Sequence, residues 1–222
     1  MCSHVSVNIV AHYSCMVCIS CYNDSNKLIM MKLNPAKAFQ TEFENRRNAL
    51  IEDTRKPESK RNETGNLWKH SLKKALEAAG FTVVLEKKHQ TYKNGEEYTE
   101  VKSDLSVYKN GVLLCVIESK DYFSIDYVRR ASSELSRIIK SYREQDDLNV
   151  IGIMFQGRRA YGDDVDRVEK ECNYYDEDVS IVTMIDDKRR KVKNVLQTTI
   201  NTDFDVKYDR IKNIVEKLNE LI

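Results

Sequence analysis

Two apolar runs with a long amphipathic stretch between them limit the folds open to this chain more than any other feature. VLLCVI (112–117) is an almost pure run of strand formers, and NVIGIMFQG (149–157) is a second one. The second has the continuous apolar character of a strand covered on both faces. Between them, DYVRRASSELSRIIKSYREQ (126–145) reads as a long helix. Strand, helix, strand in that order calls for a helical crossover to a parallel partner. Upstream, FTVVLEKKHQTY, EVKSDLSVY and VLLCVIESK read as three strands in a meander, joined by KNGE and KNG turns. Hairpins followed by a crossover predict an α/β domain with a central mixed β-sheet flanked by helices.

Further helices frame this unit. NLWKHSLKKALEAAGF (66–81) is strongly amphipathic: Leu67, Trp68, Leu72, Ala75, Leu76 and Ala79 form its apolar stripe, and Gly80 is placed as its terminating glycine. NPAKAFQTEFENRRNALIED (34–53) opens with Asn-Pro and carries Phe39, Phe43, Ala49 and Leu50 near helical spacing. A polar, basic connector, RKPESKRNET, joins the two. After the second apolar run, DDVDRVEKEC reads as a helix, SIVTMID as a strand, DKRRKVK as a basic run and DFDVKYDRIKNIVEKLNELI as a closing helix.

The 222 residues suffice for one well-cored domain, and 2 Pro with 7 Gly argue for long regular elements. The net charge of +1 excludes a polycation that coats nucleic acid by bulk attraction, but not a protein with local basic patches. Residues 1–32 differ from the rest in being Cys-, Ser- and Met-rich and almost uncharged. We expect an N-terminal appendage there and a single domain over 33–222, with its core at about 60–157 and C-terminal decoration over 158–222. Met30 and Met31 directly precede the globular-looking sequence, so translation from one of them is a second reading. The apolar stretch Val5–Ser20 lacks a basic n-region and is short of a membrane span, so neither a signal peptide nor membrane attachment is expected. Cys115 inside a strand and Cys172 in a charged helix read as reduced thiols of a cytoplasmic protein. Cys15, Cys18 and Cys21 have the spacing of iron–sulfur or zinc ligands, but no second CxxC pair accompanies them, and ordinary thiols are the favoured reading.

The apolar run at 112–117 ends in Glu118-Ser119-Lys120. Two opposite charges at the end of an apolar strand are exposed, paired or chemically used. By themselves they also describe a strand end whose charges neutralise each other. Asp104, on the preceding strand across a hairpin, changes the weighting. Asp104 followed by Glu118-Ser119-Lys120, within a helix–strand–strand–strand–helix–strand order, resembles the PD-(D/E)xK nuclease superfamily, which includes type II restriction endonucleases and Holliday-junction resolvases. The resemblance covers about residues 60–157.

It implies a restriction-endonuclease-like core and a Mg²⁺-dependent endodeoxyribonuclease, with Mn²⁺ as a substitute ion. Asp104 and Glu118 become metal ligands, the Ser119 carbonyl a further ligand, and Lys120 the catalytic lysine. Hard divalent cations prefer oxygen ligands, and a lysine beside them can orient or deprotonate an attacking water. Where such nucleases carry a further acid on the first helix, this chain has Lys69 and His70, and Glu63 is the nearest substitute. Arg129, Arg130, Arg158, Arg159, Lys188, Arg189 and Arg190 are candidate phosphate contacts on double-stranded DNA. A homodimeric type II restriction enzyme is the leading expectation. A repair or recombination nuclease, or a binding module with a decayed site, is the alternative.

Strand geometry sets a condition on this site. Side chains alternate along a strand, so Glu118 and Lys120 share a face. A plain two-residue turn at Asn110-Gly111 with an unbroken ladder puts Asp104 on the other face. A bulge at Gly111, or elsewhere between the two acids, restores the shared face.

Overall fold

The computed structural model describes residues 34–53, 61–93, 95–158, 165–186, 191–192, 195–196 and 204–222. The readings made for the N-terminal cysteines, Arg159 and Lys188–Arg190 lie outside the described residues.

The fold is α/β. Helix α1 (Pro35–Glu52) starts at Asn34, whose side chain accepts from the backbone N–H of Ala36 and Lys37. An acceptor at this position satisfies orphan donors of the first turn, and Pro35 is pre-set for its own place. Phe39 and Phe43 are buried, Leu50 is half-buried, and Ala49 faces solvent. Helix α2 (Arg61–Ala78) begins inside the stretch read as connector. It ends at Gly80 with φ 87°, where the Phe81 N–H reaches the Leu76 carbonyl at 3.1 Å. That bond together with a left-handed glycine is the Schellman arrangement.

Two of the expected strands are each split in two. FTVVLEKKHQTY forms β1 (Thr82–Leu85) and β2 (Lys88–Lys93), parted at Glu86 with φ 55°. EVKSDLSVY contributes to β3 (Glu96–Lys102) and β4 (Leu105–Lys109), parted at Ser103-Asp104. Both breaks fall at one level: the Glu86 N–H donates to the Asp104 carbonyl and the Ser103 N–H to the Lys87 carbonyl, each at 3.0 Å. The long hairpin therefore bends as a unit. Its outer half, β2–β3, is a separate two-stranded sheet, while β1 and β4 enter the central one.

The central sheet has the order β1-β4-β5-β6-β7, with β5 (Val112–Lys120), β6 (Ile151–Arg158) and β7 (Val179–Ile185). β1, β4 and β5 pair antiparallel, whereas β5, β6 and β7 pair parallel. The crossover between β5 and β6 is α3 (Ile125–Asp146), and α4 (Val165–Asn173) joins β6 to β7. A small pair, β8 (Lys191–Val192) and β9 (Val195–Leu196), follows. The closing helix α5 (Arg210–Asn219) is shorter than its amphipathic sequence promised. Val206 instead bridges antiparallel to Ile185, and Lys207 N–H bonds the Met184 carbonyl at 2.8 Å.

One face of the sheet packs on α1, α2 and α5 through Trp68, Leu72, Leu76, Leu105, Cys115, Ile117, Phe155, Ile214 and Leu218. The other packs on α3 and α4 through Leu113, Val116, Leu135, Ile138, Met154 and Cys172. Each large apolar side chain so buried contributes roughly 1.5–3 kcal/mol before chain entropy is counted. Every residue of β6 is buried, as its continuous apolar run requires. Cys115 and Cys172 are buried free thiols, and burial pushes both above the ordinary thiol range. Among the described residues no helix is long and apolar enough to cross a membrane.

A polar knot lies inside the second face. His89 of β2 is 1% exposed; its Nε2 lies 2.9 Å from Ser106 Oγ and 3.1 Å from Ser103 Oγ, and its Nδ1 lies 3.2 Å from the Tyr142 hydroxyl. Burial, aided by the nearby Lys87 charge, lowers the imidazole to about 4. The folded state thus holds His89 neutral, while an unfolded chain takes up a proton near pH 6.5. Stability tied to His89 is complete above that value and is lost as pH falls toward 4, to an extent of roughly 3 kcal/mol. Urea unfolding of wild type and His89→Gln at pH 7 and pH 5 checks this. The wild type should lose more stability on acidification than the variant, whose amide does not titrate.

Candidate active site

The position of Asp104 depends on one extra residue in β5. Asn110 (φ 52°) and Gly111 (φ 84°) form a two-residue turn between Lys109 and Val112, with the left-handed pair of angles of a type I′ hairpin. Tyr108 pairs with Leu113, but Val107 pairs with Cys115, so Leu114 is unpaired and bulges. The bulge of the expectation is present, at Leu114 rather than Gly111. Its consequence is visible in the packing: Leu114 and Cys115, neighbours in sequence, both enter the core shared with α1 and α2. From there Ser106 pairs with Val116 and Leu105 with Ile117, which brings Asp104 level with the Glu118-Ser119-Lys120 end of β5.

The three side chains meet. Lys120 Nζ lies 3.1 Å from Glu118 Oε1 and 3.6 Å from Asp104 Oδ2. The Ser119 N–H donates to Asp104 Oδ2 at 2.9 Å, tying the carboxylate of one segment to the backbone of the next. The side chains of Asp104 and Glu118 are 11% and 14% exposed, while that of Lys120 is more open at 36%. Burial, reinforced by the Asp104 charge, raises the Glu118 carboxyl above the usual range. Burial alone would lower the Lys120 amine, but Glu118 and Asp104 outweigh it and hold it above the ordinary lysine value.

Two groups that the motif does not announce complete the surroundings. Tyr127, in the first turn of α3, donates its hydroxyl to Glu118 Oε1 at 2.8 Å, and the Lys120 ammonium lies 5.6 Å from its ring centre. Burial and the adjacent Glu118 push that phenol up to about 12. Its sequence signal was only its place next to Asp126 at a helix start. Lys69 of α2 comes to 3.7 Å from Asp104 Oδ1 and also pairs with Glu86. Glu86 pairs in turn with Lys102. Burial opposes its ionisation, yet hydrogen bonds from Lys102 and Lys69 hold its carboxyl down at about 2. Its left-handed backbone costs on the order of 1 kcal/mol for a residue other than glycine, which the bend and these ion pairs offset.

The other predicted residues fare unevenly. Glu63 sits in the first turn of α2, with Asn66 Nδ2 3.5 Å from its carboxylate. Among the described residues no three His, Cys, Asp or Glu side chains gather as a metal would need, so Glu63 does not join Asp104 and Glu118. Arg129 is engaged with Glu171 through two hydrogen bonds of 2.8 and 2.6 Å, and Arg130 pairs with Glu134 at 3.2 Å. Both remain partly solvent-facing, at 42% and 72% exposure. Arg158 must be corrected: it is 0% exposed, with its guanidinium 4.8 Å from the Phe204 ring centre, and so is a core residue rather than a surface phosphate contact. Its place at the end of a wholly buried strand was the missed signal.

No protein-family model, curated protein or solved structure matches the chain.

Proposed function

We propose that the chain is a Mg²⁺-dependent endonuclease with a restriction-endonuclease-like core, acting on double-stranded DNA as a homodimer. The observation that carries this reading is the convergence of Asp104, Glu118 and Lys120 across the Leu114 bulge. The donor set fits a magnesium ion. Two largely buried carboxylates face a single point where an ammonium now sits between them, and Mg²⁺ binds through one or two carboxylates while keeping several waters. Asp104 and Glu118 would hold it, with the Ser119 carbonyl as the further ligand that the resemblance implies.

Such an ion neutralises charge on a phosphoryl group and lowers the pKa of a bound water. The chain's own part is placement. The Ser119 N–H and the paired strands fix Asp104. The Tyr127 hydroxyl fixes Glu118 against the start of α3. Lys120 projects from the same face, the most solvent-open of the three, where its amine can donate to a water or a phosphate oxygen next to the carboxylates.

Incubating the pure protein with plasmid DNA and Mg²⁺, then sequencing the fragment ends, tests the proposal. Discrete products that vanish in EDTA are expected. Preference for branched over linear duplex would move the reading to a recombination nuclease. Retained DNA binding without cleavage by Mg²⁺ or Mn²⁺ would leave only a binding module.

A further inference from the structure

We propose that Lys69 is a second phosphate-facing cation of this site, and that its ammonium holds the flank of Asp104 where a second metal ion would otherwise bind, so the site takes one divalent ion. The inference rests on the nuclease reading above and names the group that anchors the phosphodiester. Asp104 has a cation beside each oxygen: Lys120 with the Ser119 N–H at Oδ2, and Lys69 at Oδ1. The two amines therefore bracket the carboxylate from different elements, β5 and α2.

Lys69 is not held by Asp104 alone. Its side chain is 12% exposed, and Glu86, at the left-handed bend between β1 and β2, pairs with it as well. Glu86 is kept anionic between Lys69 and Lys102, so Lys69 stays beside Asp104 even if a ligand draws on that carboxylate. A second dication at Oδ1 would meet both this positive charge and a shortage of donors, because no third acidic or imidazole side chain joins the pair among the described residues. An amine in that place repels a metal ion and attracts a phosphate oxygen.

Two measurements other than activity test this on the full chain. Mn²⁺ titration followed by electron paramagnetic resonance should give one tightly bound ion per wild-type chain; two would overturn the proposal, and this count needs no variant to fold. Fluorescence anisotropy with a short labelled duplex, with Ca²⁺ replacing Mg²⁺, should show Lys69→Met binding several-fold more weakly. Its log–log salt slope should fall by about 0.9, the value for one lost phosphate contact. Lys69→Arg should restore most of both. If Lys69→Met keeps its thermal melt and matches wild type in affinity and slope, Lys69 only ties α2 to the bend, and the proposal fails while the nuclease reading stands. A wild type that binds neither Mn²⁺ nor duplex removes both.

Discussion

Lys120→Ala is expected to lower Mg²⁺-dependent DNA cleavage by about a thousandfold, near 4 kcal/mol of transition-state stabilisation, while duplex binding in Ca²⁺ changes only a few-fold. Removing the amine deletes a group that lies within ion-pair reach of both carboxylates, but leaves the strand and its bulge in place. Asp104→Ala should lose activity at least as severely, since it removes a ligand and strands the Ser119 N–H and two lysines. Asp104→Asn keeps the shape and separates the two effects: its melting temperature should stay near wild type while its cleavage does not. Single-turnover rates on one defined substrate, with anisotropy for binding, make the comparison. Cleavage within tenfold of wild type in Lys120→Ala would remove the catalytic role assigned to it.

The second large effect is on stability. Gly157→Ala should destabilise the protein by about 3 kcal/mol, an overpacking cost at the upper end of the usual range. For a domain of this size that is a fall in Tm of roughly 6–12 °C. A Cβ on Gly157 would stand 2.3 Å from Trp68 Cε2 and 2.5 Å from both Cζ2 and Nε1. The indole cannot step aside easily. It is fully buried, with its ring centre 4.6 Å from that of Phe43 and 6.4 Å from that of Phe155, and its Nε1 donates to Asp121 Oδ1 at 3.1 Å. Asp121 directly follows Lys120, so the same clash strains the end of the strand that carries the site. Trp68→Leu, which ends at Cδ, removes all three ring atoms that collide. The double variant should therefore be more stable than the sum of the two single changes predicts, by on the order of 1 kcal/mol or more. Calorimetry on the four proteins closes that cycle.

The class of fold was legible because its signals are local. Apolar runs at 112–117 and 149–157, the periodic helix between them, the Asn-Gly turns and the glycine closing α2 each need only neighbouring residues. The candidate site was legible as residue types, Asp104 and Glu118-Ser119-Lys120, and as a condition that some bulge must exist. Where the bulge lies was not legible. A turn at Asn110-Gly111 fits either register, and the choice of Leu114 rests on Leu114 and Cys115 both being accepted by the core on α1 and α2.

Side-chain alternation and strand propensity, which are all that residue types and spacing display, determined the α/β order and put three chemically capable groups at one end of two neighbouring strands. Tertiary structure decided the rest. It bent the hairpin at Glu86 and Ser103-Asp104, turned Asp104 onto the face of Glu118, buried Arg158 and brought Lys69 across from another helix. These are contacts between residues distant in the chain, fixed by competition among whole packings, and no short window of sequence records that competition.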